Sequence, residues 1–434
     1  MDGILFSHAC EVIFENTIDP IILEKLKRVH ILWKISIDKI LETTDIWKRA
    51  CLNEIASEPI SGMITRLCPT LSFKNYHELD DPKVWRTVYI SYRKWMILSK
   101  LRDFYITATR PISTEIEKFA SCEKYFAIET KRGTIDVFDI NHLDEPVDTI
   151  RLKISMNDIR FWYPGTGDVF LVAISKYDVI RFFNVSTNVN QVPCINDKKP
   201  RASILCTSTV NTLFTMIGEN LIQYKYNTED GLIQYKTGRI SGYCRKLFSE
   251  KNELICLTLE GKSLTLKHYQ IPTSDEYNDM LPEKSIPVYP PNRNTLKFSW
   301  SMESIFDFLT SNVILHKSTD GYCYLIIDDH QTNWNIHYPF QKFGSENLVT
   351  SGILHGKILI LGFETGHVRI FTVENIEQLK NSELDLNSGI EHRVCNRRIQ
   401  WLQIAEAQEK LIIIATTDVK IYFINFILEN RDTK

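Results

Sequence analysis

The residues that could carry chemistry are scattered along this chain of 434 residues. Its ten cysteines contain no Cys-x-x-Cys pair, and its eleven histidines form no pair at a metal-ligand spacing. The sequence also lacks the glycine-rich phosphate loop, the Gly-x-Ser-x-Gly elbow and the His-Glu-x-x-His motif. The acid pairs Asp80-Asp81 and Asp328-Asp329 fall in predicted turns, where carboxylates usually cap the backbone. We therefore predict no catalytic residues, no metal and no cofactor.

Basic residues that could act together lie in the connections between predicted strands. Arginine side chains bind carboxylate and phosphate groups through paired hydrogen bonds, so a cluster of them favours acidic or phosphorylated ligands. If the fold brings these connections onto one rim, they form a candidate site for such a segment of a protein substrate. Separate, solvated loops are the alternative. The candidate substrate-binding residues are Lys198, Lys199, Arg201, Arg245, Arg393, Arg397 and Arg398.

The overall composition is that of a soluble globular protein, with 44% hydrophobic residues, 24% charged residues and a net charge of −3. This charge disfavours a strongly basic nucleic-acid binder. No apolar run reaches the roughly 18 residues that a membrane helix needs. The N-terminus, with Asp2, has no cleavable signal pattern. We therefore expect a protein of the cytoplasm, the nucleus or both, without nucleic-acid or membrane partners.

From about Leu101 onward, short β-branched and aromatic runs separated by tight turns replace the helical pattern. A strand–turn–strand unit recurs with about 40 to 60 residues between successive turns, which is the period of propeller blades. The units span residues 125–140, 169–185, 212–226, 253–269, 312–328, 357–373 and 410–426. The sequence thus predicts a mainly β fold with an approximately seven-bladed β-propeller over residues 102–434. A hydrolase with acids on the propeller axis is the enzymatic alternative.

Three hairpins end in strands that resemble the end of a WD repeat, at residues 134–140, 179–185 and 368–373. Phe138-Asp139 stands where that family has Trp-Asp, and no Trp-Asp dipeptide occurs in the chain. The polar tetrad that ties WD blades together is therefore missing or degenerate, so we expect apolar strands to hold neighbouring blades together. The run Asp103–Ala108 is a further strand candidate that would complete the last blade and close the ring.

The N-terminal part has a helical pattern instead. We predict a helix over residues 7–16, a second helix over Pro20–Ile37 with Asp19 as its N-cap, and a third helix capped by Asp45. Together they form a small module over residues 1–55. Three short helices bury little surface, so we expect a partner to cover part of it.

A helical connector over residues 56–101 joins this module to the strands. Ser61-Gly62 predicts a break in its first half. An aromatic stripe from Trp85 to Trp95 at helical spacing predicts a helix in its second half. We expect this stripe to attach the N-terminal helices to the propeller.

The apolar spacing of residues 1–55 resembles that of an F-box. Leu5, Ile13-Phe14, Val29, Trp33 and Ile46-Trp47 follow the F-box pattern, while Phe6 stands where the family usually has proline. An F-box docks on the Skp adaptor of a cullin-based ubiquitin ligase. By this resemblance the adaptor-binding residues are Leu5, Phe6, Ile13, Phe14, Pro20, Leu23, Leu26, Val29 and Trp33.

The combination of an F-box-like module with a propeller resembles a substrate receptor of an Skp–cullin–F-box ubiquitin ligase. The resemblance implies a non-catalytic subunit that binds the Skp adaptor, and through it a cullin, while its propeller binds a protein substrate. The alternative is a propeller scaffold that assembles other proteins independently of ubiquitin transfer.

Overall fold

The structure, a computed structural model, describes most of the chain. The described residues are 12–14, 19–55, 57–68, 71, 76–98, 104–109, 112, 114–143, 145–186, 202–207, 212–250, 253–260, 263–271, 278–289, 305–310, 313–317, 323–329, 333–337, 348–375, 377–380, 389–407 and 410–428. Helices occupy the N-terminal part, and strands occupy most of the rest.

The helices form one packed N-terminal unit, the helical unit. They are α1 (Pro20–Leu26), α2 (Ile31–Thr43), α3 (Ile46–Glu54), α4 (Ser57–Leu67) and α5 (Pro82–Met96), with a 3-10 turn at Tyr76–Glu78. Residues 12–14 are also helical, and a short helix, α6 (Glu377–Lys380), lies within the strand region. Trp47, Trp85 and Tyr89 are buried at the centre of the unit, together with apolar residues from α1 to α5.

The predicted N-cap of α1 is confirmed, and α5 begins with a cap of the same kind. Asp19 Oδ1 accepts a hydrogen bond of 2.9 Å from the Ile21 N–H, and Asp81 Oδ1 accepts one of 2.9 Å from the Lys83 N–H. A proline follows each of these caps, where its missing N–H costs nothing. Asp45 also precedes its helix, but its carboxylate pairs with the Arg49 Nε at 2.9 Å and makes no cap hydrogen bond.

Two details of the predicted helices are wrong. The helix predicted over Pro20–Ile37 is two helices, because α1 ends at Leu26 and α2 begins at Ile31, with the His30 Nδ1 accepting from the Leu32 N–H at 3.2 Å. The Lys27 Nζ contacts Glu24 of α1 at 2.8 Å and Asp38 of α2 at 2.7 Å, which ties the two helices across the turn.

The break predicted at Ser61-Gly62 is absent, because both residues lie inside α4. Their neighbours Ile60, Met63 and Ile64 are fully buried. Burial of three apolar side chains stabilises this helix by more than the roughly 1 kcal/mol that an interior glycine costs.

The strands form seven blades, and the predicted fold class is confirmed. Blade 1 contains β2 (Ile116–Ser121), β3 (Tyr125–Thr130), β4 (Thr134–Asp139) and β5 (Asp148–Arg151). Blade 2 contains β6 (Met156–Trp162), β7 (Phe170–Ser175) and β8 (Ile180–Asn184). Blade 3 contains β9 (Ile204–Thr207), β10 (Leu213–Ile217), β11 (Asn220–Asn227) and β12 (Gly231–Arg239), with β16 (Asn278–Asp279) parallel to β12. Blade 4 contains β13 (Tyr243–Glu250), β14 (Glu253–Glu260), β15 (Ser263–Gln270) and β17 (Lys284–Tyr289).

The remaining blades complete the ring. Blade 5 contains β18 (Ile305–Thr310), β19 (Val313–Lys317), β20 (Cys323–Asp329) and β21 (Asn333–His337). Blade 6 contains β22 (Val349–His355), β23 (Ile358–Phe363), β24 (His367–Thr372) and β25 (Ile390–Arg393). Blade 7 contains β26 (Trp401–Ala407), β27 (Lys410–Thr416) and β28 (Ile421–Ile427). The first strand of each blade contacts the first strand of the next from β2 through β26, so these inner strands surround a central channel.

Blade 7 receives its outer strand from the start of the propeller. Strand β1 (Phe104–Ala108) pairs antiparallel with β28, with Phe104 opposite Phe426 and Ala108 opposite Tyr422. The predicted closure by residues 103–108 is therefore confirmed. The strand joins the two ends of the ring through backbone hydrogen bonds, so the outer edge of β28 is covered.

An apolar cluster lies between each pair of neighbouring blades. Between blades 7 and 1, for example, the rings of Phe126 and Phe423 lie 5.9 Å apart. Both faces of each blade are covered in this way, so the expectation that apolar strands hold the blades together is confirmed for the described residues.

Candidate functional site

The helical unit carries a set of exposed apolar side chains on residues 12–13, on α1, on the turn after it and on α2. These side chains are between 47% and 65% exposed, although the unit has a well-buried core of its own. We name this surface the N-terminal apolar face, and its residues are Val12, Ile13, Ile22, Val29, Ile31, Leu32 and Ile35. Exposed apolar surface concentrated in one small unit is typical of a site for a protein partner.

The predicted adaptor-binding residues are divided between this face and the core. Leu5 and Phe6 lie outside the described residues. Ile13 and Val29 belong to the N-terminal apolar face, at 65% and 62% exposed. The other predicted residues are buried or half-buried, so they shape the unit from within: Phe14, Pro20, Leu23, Leu26 and Trp33.

Sequence reasoning missed five members of the N-terminal apolar face, Val12 and four residues that it placed on one continuous helix. Ile22 lies on α1, whereas Ile31, Leu32 and Ile35 lie on α2 after the turn. A groove beside the face is lined by Ile21 and by the charged residues Glu24, Lys25, Lys27, Arg28 and Lys34. Four of these five charged residues are cations, so the border of the face is basic.

The helical unit docks on the propeller through a half-buried carboxylate, which we name the Glu406 anchor. Glu406 lies near the end of β26 and accepts hydrogen bonds from the Ser91 hydroxyl and from the Trp95 Nε1, the latter at 2.9 Å. The Lys94 Nζ lies 3.9 Å from the second oxygen of the same carboxylate. Three residues of α5 therefore converge on one acid of blade 7.

His355 of blade 6 extends this network. Its Nε2 lies 3.1 Å from the Ser91 Oγ, and because the Ser91 hydroxyl donates to Glu406, the imidazole N–H must be the donor. Burial holds the pKa of His355 well below its ordinary value, so the ring stays neutral. Burial also lowers the pKa of Arg66 on α4 to about 10, although the nearby Glu406 opposes this shift.

Apolar contacts surround the polar network. Trp95 and Leu98 are fully buried in the cluster between blades 6 and 7. Gly356 has φ +55° in the turn after β22, and a Cβ there would lie 3.1 Å from the Tyr92 ring of α5. The helical unit therefore sits directly on the hairpin turns at one face of the propeller.

The basic connection between β25 and β26 emerges on the opposite face. Arg393, Arg397 and Arg398 lie between the end of β25 and the start of β26, whereas Glu406 lies near the other end of β26. A strand of this length spans roughly 20 Å. The candidate substrate surface and the helical unit are thus separated by about the height of the propeller.

Acids from neighbouring hairpin turns pair with two of these arginines. The Arg397 Nη1 lies 2.6 Å from Asp418, and the Arg398 Nε lies 3.4 Å from Glu364. The Arg393 Nη2 donates to the Asn396 side chain at 2.7 Å. The net positive charge of this rim is therefore smaller than the connections alone indicate, because the hairpin turns contribute acids.

Of the other candidate substrate-binding residues, Arg245 lies among the described residues. Arg245 lies over the Tyr243 ring at 5.8 Å, at the start of β13. Lys198, Lys199 and Arg201 lie outside the described residues. The role of the whole set in binding a substrate stays a prediction.

The described residues hold neither a cluster of metal-ligand side chains nor a membrane-spanning helix. These residues contain no group of three or more His, Cys, Asp or Glu side chains that could hold a metal ion. No helix among them is long and apolar enough to cross a membrane.

Comparisons with known proteins do not identify a family. No family model and no curated protein matches the chain. Among solved structures, the computationally designed Ika8 protein is similar at 11% identity and a TM-score of 0.41. The match covers 74% of this chain and 98% of the designed one.

Proposed function

We propose that this chain is the substrate-recognition subunit of an Skp–cullin–F-box ubiquitin ligase. The N-terminal apolar face would bind the Skp adaptor, and the propeller would bind a protein substrate. The chain itself performs no chemistry in this proposal. It accelerates ubiquitin transfer by holding the substrate close to the recruited conjugating enzyme.

The observation that supports this proposal best is the N-terminal apolar face. A unit with a complete core of its own gains nothing from exposing seven large apolar side chains unless another molecule covers them. The face lies in the segment whose sequence resembles an F-box, and it includes Ile13 and Val29 of the predicted adaptor-binding set.

The arrangement of the two parts also fits this role. The Glu406 anchor and the buried Trp95 fix the helical unit against blades 6 and 7. The connections before β26 emerge on the other face. An adaptor on the helical unit and a substrate on that rim would therefore be held at a fixed distance and orientation, as a proximity mechanism requires.

The test is co-purification of the full chain with a recombinant Skp adaptor. The wild-type chain should bind the adaptor, and a Val29→Asp, Ile35→Asp double variant should lose binding, because each charge would be buried in an apolar interface at a cost of about 2 kcal/mol or more. The melting temperature should stay unchanged, since the two side chains are 62% and 60% exposed.

A matched control separates the face from general effects of an added charge. Val147 is 46% exposed on blade 1, far from the helical unit in sequence, so Val147→Asp should leave adaptor binding intact. Failure of the wild-type chain to bind the adaptor contradicts the proposal. Equal binding by wild type and the double variant shows that the adaptor does not use this face.

The scaffold reading remains the second candidate, because one observation favours it. Phe14, Pro20 and Leu23, which the F-box resemblance assigns to the adaptor, are buried inside the chain itself. In the scaffold reading the apolar face binds a different protein or a second copy of the chain. Light scattering measures the molar mass of the purified chain in solution. A chain that associates with itself through the face would show the mass of an oligomer, and the Val29→Asp, Ile35→Asp double variant would show the mass of a monomer.

A further inference from the structure

Five charged side chains meet around the central channel, on blades 2, 4 and 5. We name them the channel cluster, and they are Asp158, Arg160, Lys246, Asp307 and Lys317. The Lys246 Nζ of blade 4 and the Lys317 Nζ of blade 5 lie 3.6 Å and 3.5 Å from the two oxygens of Asp307. The Arg160 Nε of blade 2 lies 3.5 Å from Asp158 on the same strand.

Groups on non-neighbouring blades interact within this cluster. Arg160 on blade 2 lowers the pKa of Lys246 on blade 4 in addition to the larger effect of burial, and it attracts Asp307 on blade 5. Blade 3 separates blade 2 from blade 4 along the ring, so these side chains approach each other across the channel. Their positions near the middle of β6, β13 and β18 place the cluster at mid-depth.

The cations of the cluster have more hydrogen-bond donors than their partners can accept. One guanidinium and two ammonium groups carry roughly eleven N–H donors, and two carboxylates face them. The three contacts of 3.5 to 3.6 Å are longer than the roughly 2.7 to 2.9 Å of a good charge-assisted hydrogen bond. The buried Arg160 Nε faces Asp158 at 3.5 Å without the geometry of a hydrogen bond.

The cluster also borders open space inside the ring. The Arg160 and Asp307 side chains are each 40% exposed although both residues lie on inner strands. Three cations against two carboxylates leave one net positive charge in this confined space. Such a site favours an anion that can accept hydrogen bonds from several directions at once.

We propose that the channel cluster binds a small tetrahedral oxyanion of the phosphate class. Such an anion presents oxygens in several directions, which matches donors arriving from blades 2, 4 and 5. It would neutralise the surplus positive charge. Because it bridges non-neighbouring blades, its binding would stabilise the closed ring. This site lies inside the channel and is separate from the adaptor and substrate surfaces proposed above.

The test is thermal unfolding of the full chain in inorganic phosphate, against sodium chloride at matched ionic strength. We expect a saturable rise in Tm with phosphate and with sulfate, which has the same shape, and none with chloride. Isothermal titration calorimetry of the wild-type chain with phosphate should give a saturable heat. A Tm that responds equally to phosphate and chloride, or the absence of a saturable heat, overturns the proposal.

Variants locate the site. Arg160→Met and Lys246→Met should each weaken the apparent phosphate affinity at least tenfold, while Asp307→Asn should strengthen it, because a competing carboxylate is removed. Lys284→Met is the matched control, since Lys284 is exposed on the outer strand of the same blade as Lys246. Phosphate binding that is unchanged in Arg160→Met and Asp307→Asn would place the anion elsewhere and contradict the assignment.

Discussion

The Glu406 anchor makes a quantitative prediction about how the helical unit is held. Glu406→Ala removes the acceptor of both the Ser91 hydroxyl and the Trp95 Nε1. Hydrogen bonds to a charged group contribute about 1.5 to 3 kcal/mol each, so the variant, which loses two, should lose about 3 to 6 kcal/mol of stability. Trp95→Phe removes one of the two donors while keeping an aromatic ring in the cluster between blades 6 and 7.

A double-mutant cycle isolates the interaction between the two side chains. The free energies of unfolding of wild type, Trp95→Phe, Glu406→Ala and the double variant are measured by urea unfolding, followed by circular dichroism. We expect a coupling energy of about 1.5 to 3 kcal/mol, the value of one charge-assisted hydrogen bond. A coupling below about 0.5 kcal/mol would refute the reasoning and leave the docking to apolar contacts alone.

The cycle has a matched control on the surface of the propeller. Glu391 pairs with Arg369 on the outer strands of blade 6, where its side chain is 39% exposed. Surface ion pairs contribute about 1 kcal/mol or less, so Glu391→Ala should change the free energy of unfolding by no more than that. A loss as large as that of Glu406→Ala would show that the assay does not report on docking.

Two further predictions concern single titratable or charged positions. Burial, with a smaller effect of Glu117, raises the pKa of Glu129 to about 7 from an ordinary 4.5, against the Met156 N–H and Lys118, which lower it. The folded state therefore holds a proton that the unfolded state releases, so the stability of the wild type falls as pH rises from about 4.5 to 7. Glu129→Gln cannot titrate, so its free energy of unfolding, measured with urea, should rise by about 3 kcal/mol relative to wild type over that interval. A difference between the two proteins that does not depend on pH would contradict this. On the rim, the double variant Arg397→Glu, Arg398→Glu should abolish the salt-sensitive binding of an acidic probe peptide, measured by fluorescence anisotropy. Its Tm should fall by no more than a few degrees, because surface ion pairs contribute little to stability. Unchanged binding would exclude these arginines as the substrate site.

The propeller could be predicted from sequence because its repeating unit is local. Each hairpin consists of two apolar runs and a tight turn within about 15 residues, and some turns need a glycine. Gly133 has φ +70°, and a Cβ there would lie 2.5 Å from the Ile154 backbone nitrogen, so no other residue fits without movement. Such turns fix where one strand ends and the next begins.

The helical unit was harder to predict because its decisive contacts are not periodic. The apolar pattern continues through the turn at residues 27–30, so it indicates one helix, whereas Lys27 ties α1 and α2 as separate helices. The resulting change of direction decides which side chains face outward. Ile35 is exposed for this reason, and no local pattern in the sequence predicts its exposure.

The Glu406 anchor and the channel cluster have no sequence signature at all. Ser91 and Glu406 are 315 residues apart in the chain, and Arg160 meets Lys246 only across the channel. Single charged residues in strands are ordinary in any sequence. Their meaning depends on ring closure, which places distant blades side by side.

The pairing of β1 with β28 has a consequence for synthesis on the ribosome. Tyr105 and Asn425 face each other in this pair but are 320 residues apart, so at about 5 to 20 residues per second β1 waits on the order of half a minute for its partner. Trp95 and Leu98 remain undocked for the same time, because residues of blade 7 form part of the apolar cluster that buries them. During this interval a nascent chain exposes an unpaired strand and an undocked aromatic helix together, and a chaperone that shields both would raise the yield of closed rings.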